Sequence, residues 1–500
     1  MVNIKLSKKQ IFILFLLINA LAWIILSSFR NIIGNDALEA ISWGELVDFG
    51  TNKHPPLSGW LMGGFYNLFG HHDIAAYILG QVSILIGYVF IYKLAKFFLD
   101  EEKAFCSSLI MSSCYYYTYI AFYENFNCNF LSMALWPMIA YYFYKSVKED
   151  KLKDWIIFGA TAALGMLCKY QVIFLYLALF LYLVISDRKQ FKKKGMYVAI
   201  LTGLLVILPH ILWLYKNDFF SFVYMFKASD VDSHNMPEFL LRYGRIVFPI
   251  KFIADQLLSV ASCIVLYLIL ALQAKNIGIN KDGKTSEKVF LLSVGLAPIL
   301  AQSCMAAIEN NRILGMWGSI MVSFSGILLF YFFPVKFNKD TFNFCVKWVY
   351  SLMILWLIGM FAFLQLQTKL HMSFPYQEII PNINAEWDRV TNGAELKYVG
   401  GVVDYVYKIK EYNPRHPKII IETFGHENPW ADNEDIVNSG AIIVDTGEQR
   451  VIDRARELIV LLPADYKIEP VKYEFEITNK AGKSKPFMFY YAVIPPRKAS

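Results

Sequence analysis

Long apolar segments separated by short polar loops fill the chain from Ile11 to about Leu366. Most of them approach the twenty or so residues that a helix needs to cross the hydrocarbon core of a bilayer. The pattern therefore predicts a polytopic α-helical membrane protein with about 11 transmembrane helices. The predicted spans are residues 11–29, 74–98, 104–122, 130–146, 155–168, 171–186, 196–215, 246–272, 289–308, 313–333 and 345–366.

Polar residues predominate after Leu370. We therefore predict a transmembrane domain over residues 1–370 and a small soluble α/β domain over residues 371–500. In the second region, short β-rich runs alternate with helix-like stretches such as Val402–Glu411. The β-rich runs lie at Lys418–Glu422, Ala441–Asp445, Leu458–Leu462 and Phe487–Ile494.

Composition supports a membrane protein. Of the 500 residues, 56% are hydrophobic and only 18% are charged, and the mean hydropathy is +0.40. Soluble globular proteins rarely combine such values. The net charge of +7 arises from short basic clusters between apolar runs, so we attribute it to membrane topology rather than to nucleic-acid binding. The seven cysteines show no CxxC spacing and predict neither a disulfide framework nor a zinc site.

Basic residues predict the orientation of the helices. They concentrate in alternate loops, for example at Lys148, Lys151 and Lys153, and again over residues 188–194. Because lysine-rich and arginine-rich loops stay in the cytoplasm, the N-terminus is predicted to be cytoplasmic. An odd number of spans then places residues 371–500 on the outer face.

Four ionisable residues in the first outer loop, residues 30–73, form the leading candidate site. Asp36 and Glu39 are spaced i, i+3, so both carboxylates share one face of a short helix. This placement suits one of them to accept a proton from an attacking hydroxyl or amine, and the other to hold a metal or orient a partner. Lys53 and His54 precede a diproline whose rigid backbone aims them, and such groups bind phosphate. The alternatives are a solvated loop with a helix cap at Asn35 or Asp36, and a snorkelling lysine.

Further candidates lie in other loops predicted on the outer side. They are Glu124, Asn127, Asn129, Lys169, Tyr170 and Arg312. The carboxylate and amides of the first three suit sugar hydroxyls, although an ordinary polar hairpin is the alternative. The two cations suit a phosphate, with interfacial snorkelling or helix capping as the alternatives.

Several short motifs follow one another in the first part of the chain. They are Asp36-Ala37-Leu38-Glu39, Trp43-Gly44, Lys53-His54-Pro55-Pro56-Leu57-Ser58-Gly59-Trp60, Phe126-Asn127-Cys128-Asn129, Leu135-Trp136-Pro137 and Gly165-Met166-Leu167-Cys168-Lys169-Tyr170. Their residues and their order resemble the family 39 glycosyltransferases. This family includes protein O-mannosyltransferases and the bacterial transferases that attach aminoarabinose to lipid A.

The resemblance implies a GT-C fold in the bacterial inner membrane, with an active site and a soluble domain on the periplasmic side. It implies an inverting transfer of one monosaccharide from a polyprenyl-phosphate donor, such as undecaprenyl phosphate, to lipid A or lipopolysaccharide core. Asp36 matches the family's base or orienting acid, and Glu39 matches its second acid. No cofactor is assigned, and a divalent metal is left open.

One departure from the family limits what is carried over. The aminoarabinose transferases read Glu-Lys-Pro-Pro-Leu where this chain reads Lys53-His54-Pro55-Pro56-Leu57. Which of Lys53 and His54 contacts the lipid phosphate therefore stays open. Three other functions are weighed: protein O-mannosylation, transport of a lipid-linked sugar, and a sensor whose outer domain binds a partner.

Overall fold

A computed structural model of the chain describes residues 7–219, 221–222, 224, 237–274, 277–421 and 431–497. The chain divides into two compact units, each built from three segments. The first unit comprises Met1–Ser27, Asp48–Leu61 and Ile74–Met360. The second comprises Ser28–Val47, Met62–Asp73 and Phe361–Ser500. The domain division at residue 370 stays a prediction.

The region up to Leu366 is helical. Its described α-helices are α1 (Lys8–Ser27), α2 (Asn35–Leu46), α3 (Leu57–Leu68), α4 (Ile74–Ala95), α5 (Glu101–Leu109), α6 (Tyr119–Glu124), α7 (Cys128–Glu149), α8 (Leu152–Cys168), α9 (Ile173–Ser186), α10 (Lys194–Lys216), α11 (Glu238–Ser259), α12 (Ala261–Gln273), α13 (Thr285–Glu309), α14 (Ser325–Phe332) and α15 (Lys339–Leu366).

Within the described residues, five helices are long and apolar enough to span a membrane by themselves: α1, α4, α10, α13 and α15. A sixth span results if α11 and α12, which meet at 49°, are counted together. A multi-pass membrane protein is therefore supported, whereas the count of about 11 stays a prediction.

Three predicted spans are wrong as continuous helices, and one of them is residues 246–272, which divide at Val260 into α11 and α12. Residues 104–122 divide into α5, two 3₁₀ turns and α6, and residues 313–333 contain a 3₁₀ turn at Gly315–Gly318 before α14 begins. Within residues 104–122, the hydroxyls of Ser112 and Ser113 donate to carbonyl oxygens three residues back, at 2.7 Å each. Such local bonds offer the backbone an alternative to regular α-helix.

The polar region of the second unit is built around a five-stranded sheet of order β2-β1-β3-β5-β4. The strands are β1 (Tyr398–Gly401), β2 (Lys418–Ile420), β3 (Ala441–Asp445), β4 (Val471–Thr478) and β5 (Ser484–Ile494). The first three are parallel, β5 pairs antiparallel with β3, and β4 pairs antiparallel with β5 at the edge of the sheet. The accompanying helices are α16 (Tyr376–Thr391), α17 (Val403–Glu411), α18 (Asn433–Ser439) and α19 (Glu448–Leu458).

The predictions for this region are largely confirmed. Helix α17, strand β3 and the start of β2 lie where predicted, and Phe487–Ile494 falls within β5; Glu422 lies outside the described residues. The predicted strand Leu458–Leu462 is wrong, because Leu458 ends helix α19. Val451, Ala455 and Leu458 are buried at helical spacing in the core beneath the sheet, so tertiary packing outweighs the β-rich composition.

A partly buried carboxyl group, that of Asp73, distinguishes the short segment before α4. The Tyr412 hydroxyl donates to Asp73 Oδ2 at 3.0 Å within the second unit. Burial raises the pKa of Asp73 from 3.8 to about 6, although the Tyr412 bond and the charge of Arg30 oppose the rise. The folded protein therefore keeps this group protonated at pH values where the unfolded chain ionises it.

Replacing Asp73→Asn should stabilise the protein above pH 6. The Asp73 carboxyl ionises near pH 3.8 in the unfolded chain and near pH 6 in the folded protein. The free energy of unfolding of the wild type therefore falls between these two pH values and is constant above pH 6. The loss amounts to at most about 3 kcal/mol. Melting temperatures in detergent should match at pH 4 and favour the variant at pH 7. The exposed Asp465→Asn serves as the control, and a pH-independent difference for Asp73→Asn would contradict the expectation.

Candidate active site

The two predicted acids lie on helix α2 in the second unit. Gly34 precedes the helix in an extended conformation, and its carbonyl oxygen accepts from the amides of Ala37 and Leu38, both at 3.1 Å. Asp36 is half-buried in the first turn, where the helix dipole favours a carboxylate. The alternative that Asn35 or Asp36 caps the helix is wrong, because Gly34 is the cap residue.

Glu39 follows one turn later and is 5% exposed. Its Oε1 lies 3.4 Å from the hydroxyl of Tyr407, which donates to it from α17. The predicted i, i+3 placement of Asp36 and Glu39 on one short helix is thus confirmed. Their chemical roles stay predictions.

Lys53 and His54 belong to the first unit, in a loop whose backbone is held by Thr51. The Thr51 hydroxyl oxygen accepts from the amide of Lys53 at 3.2 Å and from that of His54 at 2.9 Å, and it donates to the His54 carbonyl at 2.6 Å. A threonine bonded in this way fixes a tight turn. The Lys53 ammonium lies 5.7 Å from the centre of the Tyr224 ring.

The imidazole of His54 is neutral at physiological pH. Burial lowers its pKa well below the usual 6.5, and the positive charges of Lys53 and Lys169 lower it further. The two lysines therefore act on the same imidazole, and the structure brings three of the predicted residues into one electropositive cluster. A neutral imidazole contributes hydrogen bonds there rather than charge.

Lys169 is held at the C-terminal end of α8. Its side chain is buried, and Nζ donates to Asn129 Oδ1 at 2.6 Å. The ammonium also lies 5.6 Å from the centre of the Trp317 ring. The ammonium thus lies against an amide oxygen and an aromatic face, where its field is little screened by water.

Asn127 has a structural role that the sequence did not reveal. Its side-chain oxygen caps α7 by accepting from the amides of Asn129 and Phe130, at 2.8 and 3.3 Å. Glu124 ends α6 and is partly buried. The turn between them packs closely on α4, since a Cβ atom at Gly80 would lie 2.0 Å from the carbonyl oxygen of Asn125.

Tyr170 and Arg312 lie in different settings. The Tyr170 hydroxyl is 2.8 Å from His210 Nε2, and the Tyr170 ring stacks on Phe222 with 4.5 Å between ring centres. Both contacts are made within the protein, so the Tyr170 side chain has a packing role. Arg312 is exposed beyond the end of α13, and within the described part of the chain no hydrogen bond or ion pair to its guanidinium is formed.

A tyrosine ladder precedes Glu124. The rings of Tyr115 and Tyr119 stack at 5.2 Å, and those of Tyr119 and Tyr123 at 5.8 Å. Tyr115 also lines a cavity of about 580 Å³ together with Leu258 and Trp356. Aromatic and apolar walls of this kind suit an isoprenoid chain or the face of a sugar ring.

The described residues contain no group of three or more His, Cys, Asp or Glu side chains placed to hold a metal ion. The donor set expected for a divalent cation is therefore not met in that part of the chain, and we derive no step through a metal.

Sequence reasoning missed several residues that shape the site. Thr51 and Trp317 are ordinary residues in a loop and a 3₁₀ turn, and no local pattern marks them. The contact of Lys408 with Asn35 was missed as well, because it joins positions 373 residues apart.

Replacing His54→Gln should change the use of a phosphate-bearing donor by less than about threefold, because a neutral amide keeps the hydrogen bonding of a neutral imidazole. Lys53→Met should raise the donor KM by about tenfold, because it removes a charge. Steady-state rates over a donor titration at pH 7.5 measure both. An equal rise in KM for the two variants would contradict this assignment.

Comparison with known proteins agrees with the resemblance seen in the sequence. Residues 53–213 match the family described as dolichyl-phosphate-mannose-protein mannosyltransferase. A search of curated proteins finds no match. Among solved structures, the fold is similar to ArnT from Cupriavidus metallidurans in the apo state, with 11% identity, a TM-score of 0.52, and coverage of 96% of this chain and 97% of that one.

The oligosaccharyltransferase of Archaeoglobus fulgidus in the apo form is also similar, at 12% identity and a TM-score of 0.48, over 93% of this chain and 70% of that one. The predicted family resemblance is confirmed over residues 53–213 by the sequence match, and the likeness to ArnT shows a common fold. The chain thus has the GT-C fold of ArnT and, over residues 53–213, the sequence pattern of the dolichyl-phosphate-mannose-protein mannosyltransferase family.

Proposed function

We propose that this protein transfers one monosaccharide from a polyprenyl-phosphate donor, of the undecaprenyl type, to lipid A or lipopolysaccharide core. The reaction takes place on the periplasmic face of the bacterial inner membrane and inverts the anomeric centre. Residues 1–370 form the transferase domain, and residues 371–500 form its periplasmic domain.

One observation carries this proposal: the buried ammonium of Lys169, held by Asn129 at 2.6 Å, acts together with Lys53 on the His54 imidazole. Two cations that act on one imidazole also repel each other, and a bound phosphate relieves that repulsion. The site thus suits the phosphate of a lipid-linked sugar. The family match over residues 53–213, which contains all three residues, supports the same substrate class.

In this proposal the reaction roles follow the family resemblance, which matches Asp36 to the base or orienting acid. The acceptor oxygen attacks the anomeric carbon opposite the lipid phosphate, and the bond from that carbon to the phosphate oxygen breaks. The proton of an acceptor hydroxyl passes to Asp36. The bonding electron pair leaves with the phosphate, whose charge Lys53, Lys169 and Arg312 offset. An acceptor phosphate is already ionised, and Asp36 then orients it.

A protein acceptor is the second candidate. It is favoured by the description of the matching family, whose members use a dolichyl-phosphate-mannose donor and a protein. The donor chemistry is the same in both cases, so Asp36, Lys53 and Lys169 keep their roles. Only the acceptor distinguishes the two functions.

The deciding experiment compares cells that express the wild type, the Asp36→Asn variant, or no copy of the chain. Mass spectrometry of lipid A, core and periplasmic proteins should show one added hexosamine, pentosamine or uronic acid on lipid A or core with the wild type alone. The same addition on proteins would favour the second candidate. Identical spectra from all three strains would overturn both.

A further inference from the structure

The amide side chain of Asn35 is the centre of a hydrogen-bond cluster in the second unit. Its Oδ1 accepts from Lys408 Nζ at 2.5 Å, while its Nδ2 lies 2.9 Å from both Asp404 Oδ1 and His371 Nδ1. The cation on one side and the carboxylate on the other determine which way the amide faces. Asn35 is therefore held from three directions.

Lys408 is the buried member of this cluster. Its side chain is 0% exposed, and its ammonium also donates to the backbone carbonyl of Asp404 one turn earlier in α17. Burial lowers the pKa of Lys408 to about 8, and the charge of Asp404 opposes this shift. A lysine is almost never buried unless it is paired, so the bond to Asn35 is one reason the group tolerates this position.

Helix α17 also contacts α2 beyond Asn35. The Tyr407 hydroxyl donates to Glu39 in the middle of α2, and Lys410 Nζ lies 2.5 Å from Glu45 Oε1 near its end. Lys410 is itself buried and also lies 3.1 Å from Glu411. Polar contacts from one helix thus fix α2 at its first turn, its centre and its last turn.

We propose that Lys408, acting through Asn35, is a positioning residue for Asp36. Asn35 is the first residue of α2 and Asp36 is the second, so the orientation of that turn sets the direction of the carboxylate. Helix α17 therefore completes the catalytic centre from a part of the chain remote in sequence. This inference rests on the proposed function, in which Asp36 handles the acceptor.

The test is Lys408→Met in the full-length protein in detergent. Methionine retains an apolar stem and removes the ammonium. We expect kcat to fall by about 10- to 100-fold, because small misplacements of a catalytic group are costly, while the donor KM changes less than about twofold. In an Asp36→Asn background, Lys408→Met should have no further effect. Lys397→Met removes an ion-paired lysine from the same unit and should leave kcat unchanged.

Hydrogen exchange of the α2 amides provides a readout that needs no turnover. Lys408→Met should speed exchange in the first turn, at Ala37 and Leu38, and Lys397→Met should not. Unchanged exchange overturns the inference whether or not activity is detected. Wild-type kcat for Lys408→Met also overturns it. So does an Asp36→Asn background in which Lys408→Met lowers kcat as much as it does in the wild type. A wild-type protein without turnover on any lipid-linked donor counts against the proposed function instead.

Discussion

Asp36→Asn is expected to lower kcat by about 10²- to 10⁴-fold when the acceptor is a hydroxyl, because it removes the group that receives the proton. Asparagine is nearly isosteric and tolerates the first turn of a helix, so α2 should keep its structure. Turnover of a synthetic polyprenyl-phosphate sugar by the purified protein measures the effect. A smaller loss, with kcat rising little as pH increases, would identify an ionised phosphate acceptor.

The matched control is Glu434→Gln. Glu434 occupies the first turn of α18 and is exposed, so the substitution removes the same charge from a comparable position. Its kcat should equal that of the wild type. Near wild-type turnover by Asp36→Asn would remove Asp36 from the mechanism, and the buried Glu39 would then be the next acid to examine.

Lys169→Met should have the second largest effect, raising the donor KM by about 10- to 100-fold. A charged hydrogen bond contributes about 1.5–3 kcal/mol, and the burial of Lys169 limits screening by water. Because Asn129 holds the ammonium at 2.6 Å, Asn129→Ala should produce part of the same loss. The double variant should lose less than the two single losses combined.

Lys216→Met is the control for this prediction. Lys216 ends α10 and is exposed, so it shares the charge of Lys169 without its burial. Its donor titration should overlay that of the wild type. If Lys169→Met lowered kcat and left the donor KM unchanged, the residue would not act on the bound donor, and the phosphate assignment would be wrong.

Local patterns predicted some elements well and others poorly. The predicted helix over residues 402–411 is present because its amphipathic pattern reflects burial directly. The strand over 441–445 is present because a short run of apolar, β-branched residues suits a strand that is buried on both faces. The continuous helix predicted over residues 104–122 is absent, because serine hydroxyls compete locally for the backbone within an apolar stretch. A hydropathy profile does not detect this competition between serine hydroxyls and backbone amides for the carbonyl oxygens.

The candidate site likewise contains features that the sequence predicted and features that it did not. The spacing of Asp36 and Glu39 placed both on one helix, and the diproline pointed to an ordered Lys53-His54 loop. However, the sequence did not distinguish which of Lys53 and His54 contacts the lipid phosphate. Only the desolvation of His54 and the charges of Lys53 and Lys169, which together lower its pKa, distinguish a neutral imidazole from a cation. Similarly, Asn127 matched a family motif but serves to cap α7.

By itself, the sequence determined the membrane class, the change to a polar region after Leu370, and the residue types available for phosphate and sugar chemistry. These properties follow from composition and from contacts between neighbours in the chain. The tertiary structure alone decided the charge state of His54, the burial of Lys169 on Asn129, and the contact of Lys408 with Asn35. Each depends on desolvation or on a partner far away in sequence, and no local pattern records either.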